Sequence, residues 1–393
     1  MVARMQSFSQ SPIDPDFVQN PYATYTRMRD MGPLVWWTDY DMACATDHAT
    51  VSAVLRDRRM GRQVPDELAP PPDSAREGFD AVEAHSMLEL DGAVHARLRG
   101  AVLRSFTSRS IAGLAPGIRA LSHDLIDRFP AGDVDLLAAY ARPVPVITIA
   151  RLLGVPEAAA EDLLRWSNAM VAMYQARLTP AIMAEAETAT ADFTAFLRDH
   201  LAAKHRRPGD DLMSTLIAAE MSEAELISTC ILLLNAGHEA TVHTLGNGVA
   251  TMLAAGQHRS DAAAVEEVMR FDPPLHMFTR WVHEDCTVAG ARFRRGDRIA
   301  CLLGSANRDA AAWEAPDRFD PDRTGPAHVA FGGGVHFCVG APLARMELQI
   351  ALEVLWTRCP ALAQAEGPVY ADVFHFHGLE RLMVRDASGG GVF

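Results

Sequence analysis

The sequence predicts a mainly α fold with a minor β region, and three observations carry that prediction. Helical patterns dominate from about residue 92 to 256, punctuated by Pro143, Pro145, Pro156, Pro180 and Pro208. Ser222-Glu223-Ala224-Glu225 is a capping box, opening a long helix that can run to Ala255, where Gly256 is a natural stop. The β signals are short and confined to three places. With 393 residues and 49% hydrophobic content, the chain can bury a large core. No repeat or low-complexity stretch divides it, so a single domain over 1–393 is expected.

In chain order, residues 22–31 read as a helix and 33–46 as a hairpin turning near Asp39-Tyr40-Asp41. A helix follows near 48–57. Residues 61–86, rich in Pro, Asp and Glu and including Ala69-Pro70-Pro71-Pro72, read as a long loop, a common place for function. After the helical stretch, a second hairpin is expected at 286–304 with Gly296-Asp297 as its turn. A loop spans 305–329. A last long helix begins just after Gly340 and stops before Pro360, and short strands near 373–386 close the chain.

The formal net charge of −14 argues against nucleic-acid binding, which needs a basic footprint. The N-terminal segment lacks the apolar run of a signal peptide. The most apolar short run, 231–234, falls far short of the roughly 18 residues of a spanning helix. A cytoplasmic protein with no membrane anchor is expected. None of the six cysteines forms a CxxC pair, so a zinc ribbon or thioredoxin-type site is disfavoured. Cys44, Cys230, Cys286, Cys301 and Cys359 read as buried free thiols.

The predicted long helix would span roughly 50 Å. Its middle is unusual: Asn235-Ala236-Gly237-His238-Glu239-Ala240-Thr241-Val242-His243. Ala236 and Ala240 share a face, with Gly237 and Thr241 beside them, which lets something large and flat approach the backbone. Gly237 also weakens the helix locally. Glu239 needs a partner or water if buried. The plainer reading is one solvated face. His238 and His243 are five apart, so the HExxH zinc spacing is not met.

Residues 331–345 read Phe-Gly-Gly-Gly-Val-His-Phe-Cys-Val-Gly-Ala-Pro-Leu-Ala-Arg. Glycines 332–334 permit angles and close approaches that a Cβ forbids. Cys338 sits just before a helix start, where backbone N–H groups stabilise a thiolate. A thiolate so held is a ligand or a nucleophile. A nucleophile wants a base, and His336 in a His-x-Cys glycine loop matches no cysteine-hydrolase pattern.

These residues resemble the haem-binding signature of the cytochrome P450 family over 331–340. Glu267-Val268-Met269-Arg270 is similar to its ExxR element, and Pro316-Asp317-Arg318-Phe319 to its meander segment. The resemblance covers nearly the whole chain and implies the P450 fold, with the long central helix over the haem. It implies haem b, iron protoporphyrin IX, with Cys338 as the iron ligand. It also implies a buried network of Glu267, Arg270 and Arg318 bracing the cysteine loop. By the same resemblance His95, Arg99, Arg280 and His336 contact the haem propionates, while Ala236, Gly237, Phe331, Gly332 and Gly340 border the ring.

The implied activity is a monooxygenase. A small, largely apolar organic substrate is oxidised with O2 and two electrons from a separate ferredoxin or flavodoxin, fed by an NAD(P)H-dependent reductase. Arg97, Arg104, Arg109, Arg345 and Arg358 are candidates for a basic docking patch, or are simply solvated. The sequence departs from the family pattern at one catalytic position: after the acid Glu239, Ala240 stands where a Thr is expected, and Thr241 follows. Three routes remain for proton delivery. Water and a substrate hydroxyl replace the missing group, Thr241 acts through a helix distortion, or the enzyme is peroxide-driven. Substrate-facing segments are expected at 61–88, 166–190, 235–241, 275–278 and 374–377. They contain Met170, Met173, Tyr174, Leu275, Met277 and Phe278, with His238, His276 and His375 as candidate polar contacts. The rival functional class is a haem-binding sensor that does not turn over.

Overall fold

The computed structural model describes residues 5–175, 178–374 and 376–387. Helix Glu223–Ala254 runs through the middle of the molecule. Its start is the predicted capping box: the Ser222 hydroxyl accepts from the Glu225 N–H at 3.2 Å, and the Glu225 carboxylate accepts from the Ser222 N–H at 3.0 Å. The two ends of this helix are anchored in different cores. Leu226, Ile231 and Leu234 pack with Met170, Phe193 and Leu197. Leu245, Val249 and Met252 pack with Leu137, Val268 and Leu352. Residues 235–244 belong to neither cluster, so the helix is held at both ends and leaves its polar middle between two cores.

Helix Ala341–Arg358 begins three residues after Cys338, with Pro342 in its first turn, where a missing N–H costs little. It packs on the central helix and on helix Ser108–Ile126. Helix Ala262–Phe271 carries the ExxR residues and contacts both the central helix and the helix after Cys338.

The six-stranded sheet has the order Gln6–Phe8, Leu34–Trp37, Met42–Ala45, Arg298–Leu302, Met277–Val282, Met60–Gly61. The hairpin of 33–46 forms as expected, with Trp36 opposite Ala43. The expected hairpin at 286–304 is corrected. Cys286–Val288 pairs with Ala291–Phe293 across a turn at Ala289 and Gly290, both at positive φ. The strand after Gly296 instead pairs back with Met277–Val282, placing Arg280 opposite Ile299. The expected loop at 61–86 contains helix Glu77–Glu83. Among the described residues no helix is long and apolar enough to cross a membrane.

Candidate active site

The cysteine loop folds back on itself. The Cys338 N–H donates to the Phe331 carbonyl at 3.0 Å, and the Gly332 N–H to the Val329 carbonyl at 2.8 Å. Gly332 and Gly334 have φ of +70° and +67°, which side chains rarely adopt. A Cβ at 334 would also meet the Leu55 carbonyl oxygen at 2.4 Å. Cys338 is half-buried, whereas the other five cysteines are buried. Burial pushes its thiol pKa up, against the Gly340 and Ala341 N–H groups and the charges of Arg99 and Arg345. The helix start alone therefore does not make it a thiolate; a cation on sulfur would.

Beneath the loop lies a buried ion network. Arg270 Nε and Nη2 bind the two Glu267 carboxylate oxygens at 2.7 and 2.8 Å, and both side chains are almost fully buried. The second arginine is corrected from Arg318 to Arg323. Arg323 Nε lies 3.3 Å from Glu267 Oε1 and its side chain is 7% exposed. The Arg318 side chain is 71% exposed and pairs with Asp320 at 2.6 Å. Only the Arg318 carbonyl joins the network, accepting from Arg323 at 2.6 Å. The link to the cysteine loop runs through Asn307. Its carbonyl accepts from Arg270 at 2.7 Å, and its side chain accepts the Val329 N–H at 2.9 Å. Asn307 and Arg323 were missed by sequence reasoning, although Arg323 stands in Asp320-Pro321-Asp322-Arg323, just after the meander match.

The four expected propionate partners sit on three elements. Arg99, on helix Gly92–Ser105, donates to the Phe337 carbonyl at 2.6 Å. His95 and His336 lie ring against ring, centroids 4.3 Å apart. Burial, His336 and Arg99 lower the His95 pKa to about 4. The His336 Nε2 is taken by Asp91 at 2.7 Å. Arg280 is 3% exposed and donates to the Thr279 carbonyl at 2.9 Å. Among the described residues no carboxylate reaches it within ion-pair distance. Burial lowers its pKa. A buried guanidinium without a carboxylate calls for an anionic group. A cysteine thiol, an unmatched buried arginine and a further arginine against the cysteine loop fit an iron porphyrin with two carboxylates.

On the central helix, Ala236 is exposed and Gly237, Glu239 and Ala240 are half-buried, in the middle of an otherwise buried element. Gly237 has a second reason to be small: a Cβ there would meet Ile149 at 3.1 Å, so it also admits the neighbouring helix. The helix is unbroken across this stretch, without the distortion that the route through Thr241 would need. The Thr241 hydroxyl bonds back to the Gly237 carbonyl at 3.5 Å. Glu239 meets His243 at 3.1 Å and His238 at 3.4 Å. Burial raises its pKa, but the two histidines outweigh this and hold the carboxyl well below the usual range.

A family model described as Cytochrome P450 matches residues 262–366. Cytochrome P450 107B1 of Saccharopolyspora erythraea is 35% identical, over 95% of this chain and 97% of its own length. The chain belongs to the cytochrome P450 family. Mycinamicin IV hydroxylase/epoxidase of Micromonospora griseorubida is 37% identical over 81% of this chain and 82% of its own. The solved structure of P450BioI in complex with an acyl carrier protein ligated to hexadec-9Z-enoic acid has a TM-score of 0.89 at 30% identity. It covers 95% of this chain and 99% of that one. The chain is thus a P450 monooxygenase in class, and haem is the family's cofactor.

Within this P450 several residues expected to face substrate are buried. Met170 and Met173 lie in the core beside the central helix, and Met277 in the core around Trp37. His276 is fully buried, with Tyr25 at 2.8 Å from its Nδ1. His238 is buried against the Leu234 carbonyl. His375 lies outside the described residues. Leu275 and Phe278 remain half-buried. Asp272, His276 and His377 form the one gathering of three potential metal ligands found among the described residues. Tyr22 and Tyr370 donate to the two oxygens of Asp272 at 2.5 and 2.6 Å, so each oxygen is already engaged in a hydrogen-bonded knot. The expected docking patch shrinks. Arg97 pairs with Glu225, Arg345 with Glu266 and Arg358 with Asp127. Among the described residues Arg104 and Arg109 have no ion-pair partner.

Proposed function

We propose that this P450 holds haem b through Cys338 and oxidises a small, largely apolar organic substrate bearing a hydroxyl or carbonyl near the oxidised carbon. The observation that carries this reading is the pairing of the Cys338 loop with a buried, unmatched Arg280. His95, Arg99, Arg280 and His336 would hold the propionates, with Phe331, Gly332, Gly340, Ala236 and Gly237 bordering the ring. When bound, the haem supplies O2 activation, and its thiolate ligand favours O–O cleavage. The chain itself positions the sulfur, orients the ring and manages protons.

Glu239 stands at the proton-handling position, and Ala240 offers it no hydroxyl. Thr241 is turned back on Gly237 in an unbroken helix, which weakens the route through a distortion. Water together with a substrate hydroxyl is the favoured route. The name of the mycinamicin IV hydroxylase/epoxidase supports hydroxylation or epoxidation as the reaction. The protein is proposed to act in the cytoplasm as a single domain. Its electrons would come from a ferredoxin or flavodoxin with an NAD(P)H-dependent reductase, docking at the unpaired Arg104 and Arg109.

The test is turnover. Substrate-dependent NAD(P)H use with a surrogate ferredoxin pair, yielding oxygenated product, is expected. Product formed with peroxide alone, and none with the redox pair, would establish the peroxide-driven alternative. Haem binding with no turnover by either route would favour the sensor. Ala240→Thr should change the coupling of electron use to product; unchanged coupling for every substrate would defeat the substrate-hydroxyl route.

A further inference from the structure

Hydrogen-bond direction makes the two histidines around Glu239 unlike each other. The His238 Nδ1 lies 2.7 Å from the Leu234 carbonyl, which can only accept, so Nδ1 carries a hydrogen. Neutral His238 then has its lone pair on Nε2. That atom is 3.4 Å from Glu239 Oε2 and makes no hydrogen bond of good geometry to any described residue. In a side chain 3% exposed, a lone pair facing a carboxylate is costly. One proton between them removes the conflict.

His243 takes the opposite assignment. Its Nε2 lies 3.1 Å from Glu239 Oε1, and its Nδ1 is buried without a hydrogen-bond partner. A hydrogen on Nδ1 would be a buried unmatched donor, so the neutral Nε2–H form fits. Gly378 leaves room for this ring: a Cβ at 378 would fall 1.8 Å from His243 Nδ1. His377 lies within electrostatic reach of His243, with Asp272 3.4 Å from its Nε2 and Arg308 also acting on it.

We propose that the His238–Glu239 pair stores one proton beside Ala240, and that this store feeds the route of water and substrate hydroxyl that replaces the hydroxyl missing at 240. His243 only orients the carboxylate. On delivery, the proton leaves the pair toward the oxidation site. A neutral Nδ1–H imidazole and an ionised carboxylate remain, and one proton from solvent restores the pair. This inference rests on the haem-thiolate reading and adds His238 to it.

The direct test uses the holoenzyme with isotope-labelled histidine, reduced and bound to carbon monoxide so that it is diamagnetic. His238→Gln and His243→Gln assign the two ring signals. The expected spectrum shows His243 as the neutral Nε2–H form. It shows His238 with protons on both nitrogens, or, if the proton sits on the carboxyl, a protonated-acid infrared band lost in Glu239→Gln. A His238 with bare Nε2 beside an ionised Glu239 overturns the proposal. Coupling is the second readout, with a compound that shifts the spin state as substrate. Glutamine keeps an N–H donor at both positions but supplies no acid. His238→Gln should therefore lose about 10-fold or more in product per NAD(P)H, where a lost general acid costs roughly 100- to 10,000-fold in rate, and His243→Gln, which keeps a donor to orient the carboxylate, should lose clearly less. Equal coupling in His238→Gln and the parent overturns the proposal. A carbon monoxide band of thiolate type in all variants shows that the haem-thiolate reading stands in either case.

Discussion

Beneath Cys338, polar groups are matched several times over. Glu267 receives Arg270, Arg323 and the Asp320 N–H. Across from it, the middle of the central helix leaves Asn235 Oδ1, His238 Nε2 and His243 Nδ1 buried without a hydrogen-bond partner. Both regions are polar and buried, yet only the first is closed around its charges; its leftover is the neutral Asn307 Nδ2. A network whose charges are matched fixes one geometry, as a metal ligand needs. A partly matched one keeps capacity for a substrate, water or a mobile proton.

Breaking the closed region should cost most. Glu267→Gln leaves two buried arginines without their carboxylate, with an expected loss of about 3–5 kcal/mol, read by denaturant unfolding of the holoenzyme; Arg323→Ala, which keeps the Arg270–Glu267 pair but frees the Glu314, Ala315 and Arg318 carbonyls, should cost less. Arg280→Leu comes next. It should leave the fold intact but speed haem transfer to an acceptor protein, because the chain offers Arg280 no carboxylate of its own. Arg318→Ala tests the corrected brace from the other side. As an exposed pair with Asp320, it should shift stability by no more than about 0.5 kcal/mol. A severe effect there would restore Arg318 to the network.

Much of the closed region was legible in the sequence, because its parts are local. The capping box at Ser222, the Cys338 loop and the Glu267/Arg270 pair on one helical turn each announce themselves within a few residues. The choice between Arg318 and Arg323 was not legible. Both lie in one meander, and only folding decides which side chain turns inward. Helix Glu77–Glu83 was missed for a related reason. Its first N–H groups, at Gly78 and Phe79, are capped by Glu187 at 2.7 and 3.0 Å, more than a hundred residues away. The His238–Glu239–His243 contact was hidden by a narrower question. Five-residue spacing disfavours a shared ion but allows a carboxylate between the two histidines to touch both.

A pH-dependent effect is expected on helix Glu77–Glu83. Burial and the Glu89 charge raise the Glu83 pKa to about 7, against a hydrogen bond from Tyr174 at 3.0 Å. A raised acid stabilises the folded contact at low pH, and the contribution fades as pH rises through about 7. Amide protection in helix Glu77–Glu83, with the intrinsic pH dependence of exchange divided out, should therefore fall modestly between pH 4.5 and about 7. Glu83→Gln should flatten the dependence.

The central claim is that Cys338 binds haem iron as a thiolate. The reduced protein under carbon monoxide tests it most directly. The strongly red-shifted Soret band of a thiolate ligand is expected, lost in Cys338→Ala. A band of the ordinary histidine type, or a purified protein that takes up no haem, would contradict it.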